Sequence, residues 1–180
     1  MLNFINYSDF RGKKVLEIGC GLGLIASEIA KREIEIIAID QTFTAVKNTM
    51  ERFSRLRCKG YVVQADAENL PFKSNSFDFV LSWGVLHHTP DTAKAIRLVE
   101  QVLKENGKFG LMVYIKYSIY HWNLLLRTGI LRGQLMKYSL QELRNRYTDG
   151  ATHGGNMLTK FFSIREMKKM LNHLTIIQVD

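Results

Sequence analysis

The sequence has few prolines and cysteines and no long run of apolar residues. Two prolines among 180 residues argue against a long linker, and two cysteines argue against a disulfide framework. Reduced thiols favour a cytoplasmic location. The best candidate for a membrane span, residues 117–131, is interrupted by His121, Asn123 and Arg127, so no transmembrane segment is predicted. Residues 1–10 lack the cationic start and apolar run of a signal peptide.

Acidic residues are scarce in the second half of the chain. Residues 1–93 contain 11 Lys or Arg and 11 Asp or Glu, whereas residues 94–180 contain 14 and 6 and account for the whole net charge of +8. A basic half of this kind attracts nucleic acid, an acidic small molecule or an anionic membrane surface. A solvated basic surface without a partner is the alternative, and the composition leaves these possibilities open.

The order of elements predicts an α/β fold. Five short runs rich in apolar, β-branched or aromatic residues are predicted strands, namely Val15–Ile18, Ile34–Ile39, Tyr61–Gln64, Phe77–Trp83 and Lys108–Tyr114. Three predicted helices separate them, namely Leu22–Arg32, Thr44–Leu56 and Asp91–Leu103. This alternation is typical of a doubly wound, Rossmann-like, mostly parallel sheet in one domain.

Two of the predicted helices have apolar stripes that are expected to face the core. The stripe of the second helix, with the residue just before it, consists of Phe43, Val46, Met50, Phe53 and Leu56. The stripe of the third helix consists of Ile96, Val99, Val102 and Leu103. Asn106 and Gly107 are predicted to stop this third helix, because both residue types tolerate the left-handed conformation that follows a helix end.

After residue 116 the alternating pattern stops. The aromatic stretch Tyr117–Arg127 is predicted to be helical, and capping boxes that begin at Ser139 and Ser163 predict two more helices. The glycine-rich segment Thr148–Thr159 is a predicted loop, and Thr175–Val179 is a predicted last strand. A sheet of this kind usually continues, so the chain is expected to be truncated in its last strands.

A strand followed by alternating glycines is the main functional signal. The stretch Val15–Gly23 ends its apolar run at Glu17 and Ile18 and then places Gly19, Gly21 and Gly23 ahead of a helix. Glycine lets the backbone turn sharply and lets a ligand lie against bare peptide. The following helix directs its free N–H groups to the same place. The pattern predicts a pocket for a nucleotide-like cofactor at the carboxyl edge of the sheet.

Carboxylates follow each of the first three predicted strands. Glu17 closes the first, Asp40 closes the second 21 residues after Gly19, and Asp66 follows the third. An acid at the position of Asp40 accepts hydrogen bonds from the ribose hydroxyls of an adenosine, in dehydrogenases and methyltransferases alike. Gly21–Ala26 also fits a loose G-x-G-x-x-A dinucleotide pattern. These residues alone therefore leave an NAD(P)-dependent oxidoreductase open.

Each acid also has a plain structural interpretation. Glu17 is a surface acid at a strand end in that interpretation, Asp40 caps the helix that begins near Thr44, and Asp66 shapes a turn. For Asp78 the structural role is preferred outright.

The combined motifs resemble the class I S-adenosylmethionine-dependent methyltransferases, in the branch with many small-molecule enzymes. The resemblance covers about Lys13 to Tyr114. Its motifs are E-x-G-x-G-x-G from Glu17, the stretch Gln64–Phe72 after the third strand, Phe77–Val80 in the fourth, and Ser82–Pro90 after it. A non-catalytic, cofactor-binding relative stays an alternative.

The resemblance implies roles for individual residues in binding S-adenosylmethionine. Glu17, Gly19, Cys20, Gly21 and Gly23 would line the methionine part, and Asp40 with Gln41 beside it would hold the ribose. Asp66 would accept from the adenine amino group, the Ala67 N–H would meet a ring nitrogen, and Ser82 would offer backbone near the methionine ammonium. The implied division is one domain, with residues 1–116 as cofactor-binding core, 117–162 as a helical and loop insertion over the acceptor, and 163–180 as last helix and strand.

The implied reaction moves a methyl group from a sulfonium to a nucleophile, mainly by proximity and orientation. His87 and His88 follow the fourth strand and are the candidate bases, although a bond from one of them to a loop backbone is the preferred interpretation. His121 and His153 are weaker candidates. No metal site is predicted.

Missing motifs narrow the predicted acceptor. The family's amino-directed nucleic-acid enzymes carry an Asn/Asp-Pro-Pro-aromatic run where this chain has Ser82–Val85. Cytosine-carbon methylation needs a cysteine nucleophile there, and neither Cys20 nor Cys58 fits. A small-molecule acceptor is therefore favoured over nucleic acid. The basic second half keeps an anionic or a membrane-associated acceptor open, and the oligomeric state stays open as well.

Overall fold

The computed structural model describes residues 10–148 and 158–174. The backbone forms two compact units. The first consists of Met1–Val85 and Ala93–Met112, and the second of Leu86–Thr92 and Val113–Asp180. The second unit therefore includes Leu86–Thr92, a short segment that lies in sequence between the two parts of the first unit.

A five-stranded parallel sheet forms the first unit. Its strands are β1 (Lys14–Ile18), β2 (Glu35–Asp40), β3 (Tyr61–Gln64), β4 (Phe77–Trp83) and β5 (Leu103–Met112). The spatial order is β3-β2-β1-β4-β5, with every neighbouring pair parallel. The order reverses between β1 and β4, and open α/β sheets bind ligands beyond the carboxyl ends of their strands at such a reversal. The predicted Rossmann-like α/β fold is confirmed.

Three helices accompany this sheet: α1 (Leu24–Ala30), α2 (Phe43–Leu56) and α3 (Thr92–Val102). One buried cluster joins inward-facing residues of the strands to α1 and α2, and includes Val15, Ile36, Phe53 and Leu81. The predicted stripe of α3 is confirmed, because Ile96, Val99, Val102 and Leu103 are all buried.

The predicted stripe of α2 is wrong in part. Val46 and Phe53 are buried, but Phe43, Met50 and Leu56 are exposed. The sequence repeat is the same for all five residues, so only the packing of the helix on the sheet separates them. α2 thus buries a narrower face than its apolar pattern predicts.

The predicted stop at Asn106 and Gly107 is also wrong. α3 already ends at Val102, and both residues lie inside β5. There the pairing with β4 shifts between Phe77 and Phe79, and Asn106 adopts a positive φ of 65°. An asparagine followed by a glycine tolerates this irregular backbone, as it would tolerate a helix end.

The second unit is mainly helical. It contains α4 (Ile119–Asn123), a π-helix over Leu124–Ile130, α5 (Leu140–Tyr147) and α6 (Ile164–Met170). Both predicted capping boxes are present, with Ser139 and Ser163 each accepting from the backbone of a glutamate three residues later. The predicted strand Thr175–Val179 lies outside the described residues. Within the described ranges, no helix combines the length and apolar character needed to cross a membrane.

Candidate cofactor-binding site

The glycine turn after β1 is fixed by short backbone bonds. The N–H groups of Gly19 and Cys20 both donate to Ile39 O at the end of β2, at 2.8 and 2.9 Å, and Gly23 N donates to Cys20 O at 2.7 Å. Gly19, Gly21 and Gly23 have φ values of 80°, 52° and 69°. All three lie in the left-handed region, where a residue with a Cβ is strained. The turn therefore requires the three glycines that the sequence motif supplies.

The glycines differ in what lies beside them. A Cβ on Gly19 would be 2.1 Å from Val85 Cγ2, and one on Gly23 would be 2.8 Å from Thr49 Cγ2. At Gly21 a Cβ would meet nothing within 4 Å. Gly19 and Gly23 thus permit close packing, whereas Gly21 presents bare backbone to open space, as a ligand cradle needs.

Asp40 connects the two neighbouring turns at this edge. Its Oδ2 accepts from Gly21 N at 3.1 Å. Its Oδ1 accepts from both the N–H and the hydroxyl of Thr42, each at 2.9 Å. Asp40 does not cap α2, because Thr42 holds that position and accepts from Ala45 N. The carboxylate is placed beside open glycine backbone, with lone pairs left for further donors.

Glu17 is a buried acid at the end of β1 and not a surface residue. Its relative exposure is 2%, and its Oε2 has no hydrogen-bond partner among the described residues. Burial raises the pKa of Glu17 to about 8, with a smaller contribution from the negative charge of Asp40 and a partial offset by the Ala26 N–H. A buried carboxyl with an unused oxygen is suited to a cationic partner.

Ser82 and Cys20 complete the inner part of the site. Ser82 is fully buried on β4, next to Ile18 of β1, and its hydroxyl has no partner within the described chain. Cys20 is buried, and burial raises the pKa of its thiol to about 11. The Thr49 hydroxyl lies 3.3 Å from Cys20 Sγ and 3.1 Å from Gly21 O. Cys20 is therefore a neutral packing group here and not a nucleophile.

The segment after β3 forms the outer part of the same edge. Asp66 accepts from Glu68 N at 2.9 Å and from Asn69 Nδ2 at 3.2 Å, so it shapes a turn, as its structural interpretation states. Ala67 is buried in that turn. The Gln64 amide donates to Gln41 O at 3.0 Å, which links the ends of β3 and β2. All ten predicted cofactor residues thus lie in the first unit, at or just beyond the carboxyl ends of β1 to β4.

The two candidate bases lie in the second unit. His87 is fully buried, with its ring centroid 4.5 Å from that of Tyr114. His88 Nδ1 is 2.7 Å from Leu158 O and therefore carries a proton and donates to that carbonyl. The preferred structural role for one of the pair, a bond to loop backbone, matches His88. Asp78 has the expected structural role as well, since it accepts from Lys14 N and Lys104 Nζ.

An aromatic cluster in the second unit surrounds two more polar groups. Phe161 stacks on Tyr114, with ring centroids 5.1 Å apart, and the Arg144 guanidinium lies 4.9 Å from the Phe161 centroid. His121 is buried, and its ring centroid is 5.3 Å from that of Phe161. Burial, followed by the charge of Arg144, lowers the pKa of His121. Neither His121 Nδ1 nor Arg144 Nε has a hydrogen-bond partner in the described part of the chain.

Sequence reasoning did not single out Thr42, Thr49, Val85 or Arg144. The hydroxyls of Thr42 and Thr49 hold Asp40 and the glycine turn, and Val85 packs against Gly19. A threonine directly before a helix is a recognisable cap, so Thr42 had a signal in the sequence. Thr49, Val85 and Arg144 reach their partners through the tertiary fold, so no pattern in the sequence identified them.

Comparisons with known proteins agree with this geometry. A family model described as a methyltransferase domain matches residues 16–111. The ubiquinone/menaquinone biosynthesis C-methyltransferase UbiE of Idiomarina loihiensis is 32% identical over 136 residues, covering 66% of this chain and 53% of that protein. The mitochondrial arginine-hydroxylase NDUFAF5 of Danio rerio is 38% identical over 100 residues, covering 54% of this chain and 30% of that protein.

A solved S-adenosylmethionine-dependent methyltransferase from Methanosarcina mazei has the same fold. It superposes with a TM-score of 0.70 at 24% identity, covering 89% of this chain and 78% of that one. The chain spans about a third to a half of the length of the first curated relatives that it matches.

Proposed function

The chain belongs to the class I S-adenosylmethionine-dependent methyltransferase family, and from that premise we propose that it methylates a small anionic acceptor. S-adenosylmethionine is the expected cofactor of a chain of this family. When bound, it supplies a methyl group activated on a sulfonium. The relative named as an arginine-hydroxylase shows that membership alone does not fix the reaction, so the acceptor and the transfer are argued from the residues.

The unused polar atoms of the first unit fit this cofactor. Glu17 Oε2 is buried without a hydrogen-bond partner among the described residues, and the ammonium group of the cofactor would supply one. Ser82 is proposed to offer backbone near the same ammonium. Asp40 offers lone pairs for ribose hydroxyls, and the open face of Gly21 leaves room for the ligand. The buried Glu17 Oε2, which has no hydrogen-bond partner among the described residues, is the observation that carries the proposal.

The roles proposed for the remaining residues follow the resemblance. Gly19, Cys20, Gly21 and Gly23 shape the turn under the methionine part, and Gln41 adjoins Asp40. Each oxygen of Asp66 already accepts one hydrogen bond within its turn, which fixes the carboxylate. The adenine amino group is proposed to donate a further hydrogen bond to it.

The polar groups of the second unit support an anionic acceptor. Arg144 Nε is buried without a hydrogen-bond partner among the described residues, which is energetically costly, and a bound anion would offset that cost. Burial, followed by the charge of Arg144, lowers the pKa of His121, and this direction favours the neutral imidazole that a proton acceptor needs. His87 and His88 stay predicted candidates for accepting a proton. The cytoplasmic location stays a prediction, and so does the assignment of residues 117–162 as an insertion that covers the acceptor.

Ligand-dependent unfolding tests the cofactor. S-adenosylhomocysteine at 100 times its dissociation constant is expected to add about 2.7 kcal/mol to the free energy of unfolding, whereas NADH is expected to add none. Asp40→Asn is expected to abolish most of that increment. Asp78→Asn is the matched control and is expected to leave the increment unchanged. Asp78 accepts hydrogen bonds from Lys14 N and Lys104 Nζ and lies away from the carboxyl edge of the sheet.

Turnover is then measured with labelled S-adenosylmethionine against small carboxylic and phenolic acceptors. Stabilisation by NADH alone would contradict the proposal. Cofactor binding without transfer to any acceptor would favour the non-catalytic alternative.

A further inference from the structure

An apolar groove lies on the surface of the second unit. It is open, has a volume of about 410 Å³, and is lined by Trp122, Leu125, Leu126, Ile130 and Leu135. These side chains are largely in contact with solvent, with relative exposures of 63% for Ile130, 55% for Trp122 and 54% for Leu126. Single exposed apolar residues are ordinary, but a contiguous apolar surface marks an interaction site.

The local backbone produces this groove. Trp122, Leu126 and Ile130 follow one another at four-residue intervals along α4 and the π-helix, so they share one side of it. The residues that this helix buries are instead Leu124, Thr128 and Gly129. A Cβ on Gly129 would be 2.9 Å from Leu135 Cδ1, so the glycine lets Leu135 pack against the π-helix and line the groove. The exposed side is thus as apolar as the buried side, the reverse of an ordinary surface helix.

More apolar side chains stand beside the lining residues in the sequence. Ile119 is 90% exposed at the start of α4, and Met136 is 92% exposed next to Leu135. Tyr117 and Tyr120 are exposed as well. Tryptophan and tyrosine are the residues that membrane proteins concentrate at the boundary between lipid and water.

The charge of this region has one sign. Residues 106–141 contain no Asp or Glu, although they contain the cations Lys108, Lys116, Arg127, Arg132 and Lys137. Arg127, Arg132 and Lys137 are interleaved with the groove residues and are exposed. The occupant of the groove is therefore expected to combine negative charge with an apolar interior.

We propose that this groove and its basic border bind the surface of a bilayer that contains anionic lipids. Such a surface offers phosphate-bearing headgroups to the three cations and an acyl boundary to the apolar side chains. A second copy of the chain would bring like charges together, and a nucleic acid would leave the apolar groove without a partner. The proposal does not depend on methyl transfer, because it rests on the surface of the second unit.

Vesicle partitioning of the full chain tests the proposal. We expect sedimentation with phosphatidylcholine vesicles that contain about one third phosphatidylglycerol, little with pure phosphatidylcholine, and loss of binding when salt shortens the Debye length from about 10 Å to about 3 Å. In a Trp83→Phe background, brominated acyl chains are expected to quench Trp122. Binding without quenching would show charge attraction alone and would overturn the proposal.

Paired variants separate the two contributions. Arg132→Gln with Lys137→Gln should weaken partitioning about fivefold per cation, or about 25-fold together. Lys47→Gln with Lys59→Gln removes the same charge from exposed positions of the first unit. This control pair is expected to change vesicle partitioning less than twofold. Leu126→Ser with Ile130→Ser should abolish Trp122 quenching, whereas Phe43→Ser with Met50→Ser, exposed in the first unit, should not.

Circular dichroism and the thermal midpoint establish that each variant is folded. Equal losses in the matched controls, equal binding to neutral vesicles, or self-association that protects Trp122 from quenching in solution would each overturn the proposal.

Discussion

Glu17 illustrates how one residue acquires properties that its sequence position does not reveal. Glu17 is the last residue but one of β1, and the neighbouring elements bury it with one oxygen unpartnered among the described residues. The carboxyl is thereby held neutral near physiological pH in the folded chain, since its pKa is raised to about 8. A carboxyl of this kind gains most from a ligand that brings positive charge.

The buried acid makes the stability of the protein depend on pH. The folded chain binds this proton more tightly than the unfolded chain, whose glutamate has the ordinary pKa of 4.5. The contribution to stability is therefore complete below pH 4.5 and declines by about 1.4 kcal/mol per pH unit until pH reaches the folded pKa. We expect Glu17→Gln to flatten this decline in urea unfolding between pH 5 and pH 8.

An exposed acid provides the control for that experiment. Glu28 pairs with Lys31 and Arg32, and these hydrogen bonds lower its pKa, so Glu28→Gln should leave the decline in place. An unchanged pH slope in Glu17→Gln would contradict the assignment.

At the level of elements, the start of α2 and the cofactor edge share one side chain. The Thr42 hydroxyl accepts from Ala45 N as the helix cap and donates to Asp40 Oδ1. Asp40 in turn accepts from Gly21 N, so the beginning of α2 is connected to the glycine turn after β1.

Replacing that hydroxyl should affect stability and ligand binding together. We expect Thr42→Val to lower the free energy of unfolding by about 1 kcal/mol, because the cap is lost. The affinity for S-adenosylhomocysteine should fall by roughly 2- to 10-fold, since Asp40 loses one of its hydrogen bonds. Thr42→Ser keeps the hydroxyl and should restore both quantities, as measured by urea unfolding and calorimetry. Loss of affinity in the serine variant as well would contradict this coupling.

Elements were predictable where a local pattern dominates. The bounds of β3 and β4 agree with their predicted runs, and the helices after Ser139 and Ser163 begin at their capping boxes. The irregular pairing in β5 and the exposure of Phe43 and Met50 were not predictable. Both depend on how an element meets its neighbour, which no local repeat records.

At the level of the whole molecule, a short segment of the first unit's sequence belongs to the second unit. Leu86–Thr92 is held by residues far along the chain: Lys160 N donates to His87 O at 3.0 Å, and His88 donates to Leu158 O. The backbone of His87 and the ring of His88 therefore depend on residues at least 70 positions away.

A chain ending at Met112 should therefore not behave as an independent domain. We expect it to unfold less cooperatively and to bind a hydrophobic dye, because Leu86–Thr92 loses its partners. Lys160→Ala is the control: it removes the side-chain bond to Pro90 O but keeps the backbone bond to His87, and should cost less than about 1 kcal/mol. Full cooperativity with an unchanged urea midpoint in the shortened chain would contradict this dependence.

The sequence by itself determined the alternation of strands and helices, the glycine turn, and the acids Glu17, Asp40 and Asp66 at or after the strand ends. These features depend on local backbone preferences and on parallel strands ending at one edge. Only the tertiary structure decided that Glu17 Oε2 and the Ser82 hydroxyl are buried without a hydrogen-bond partner among the described residues, that His88 donates to Leu158 O, and that the apolar groove is exposed. Burial and solvent exposure are properties of packed surfaces, and residues distant in sequence create them together.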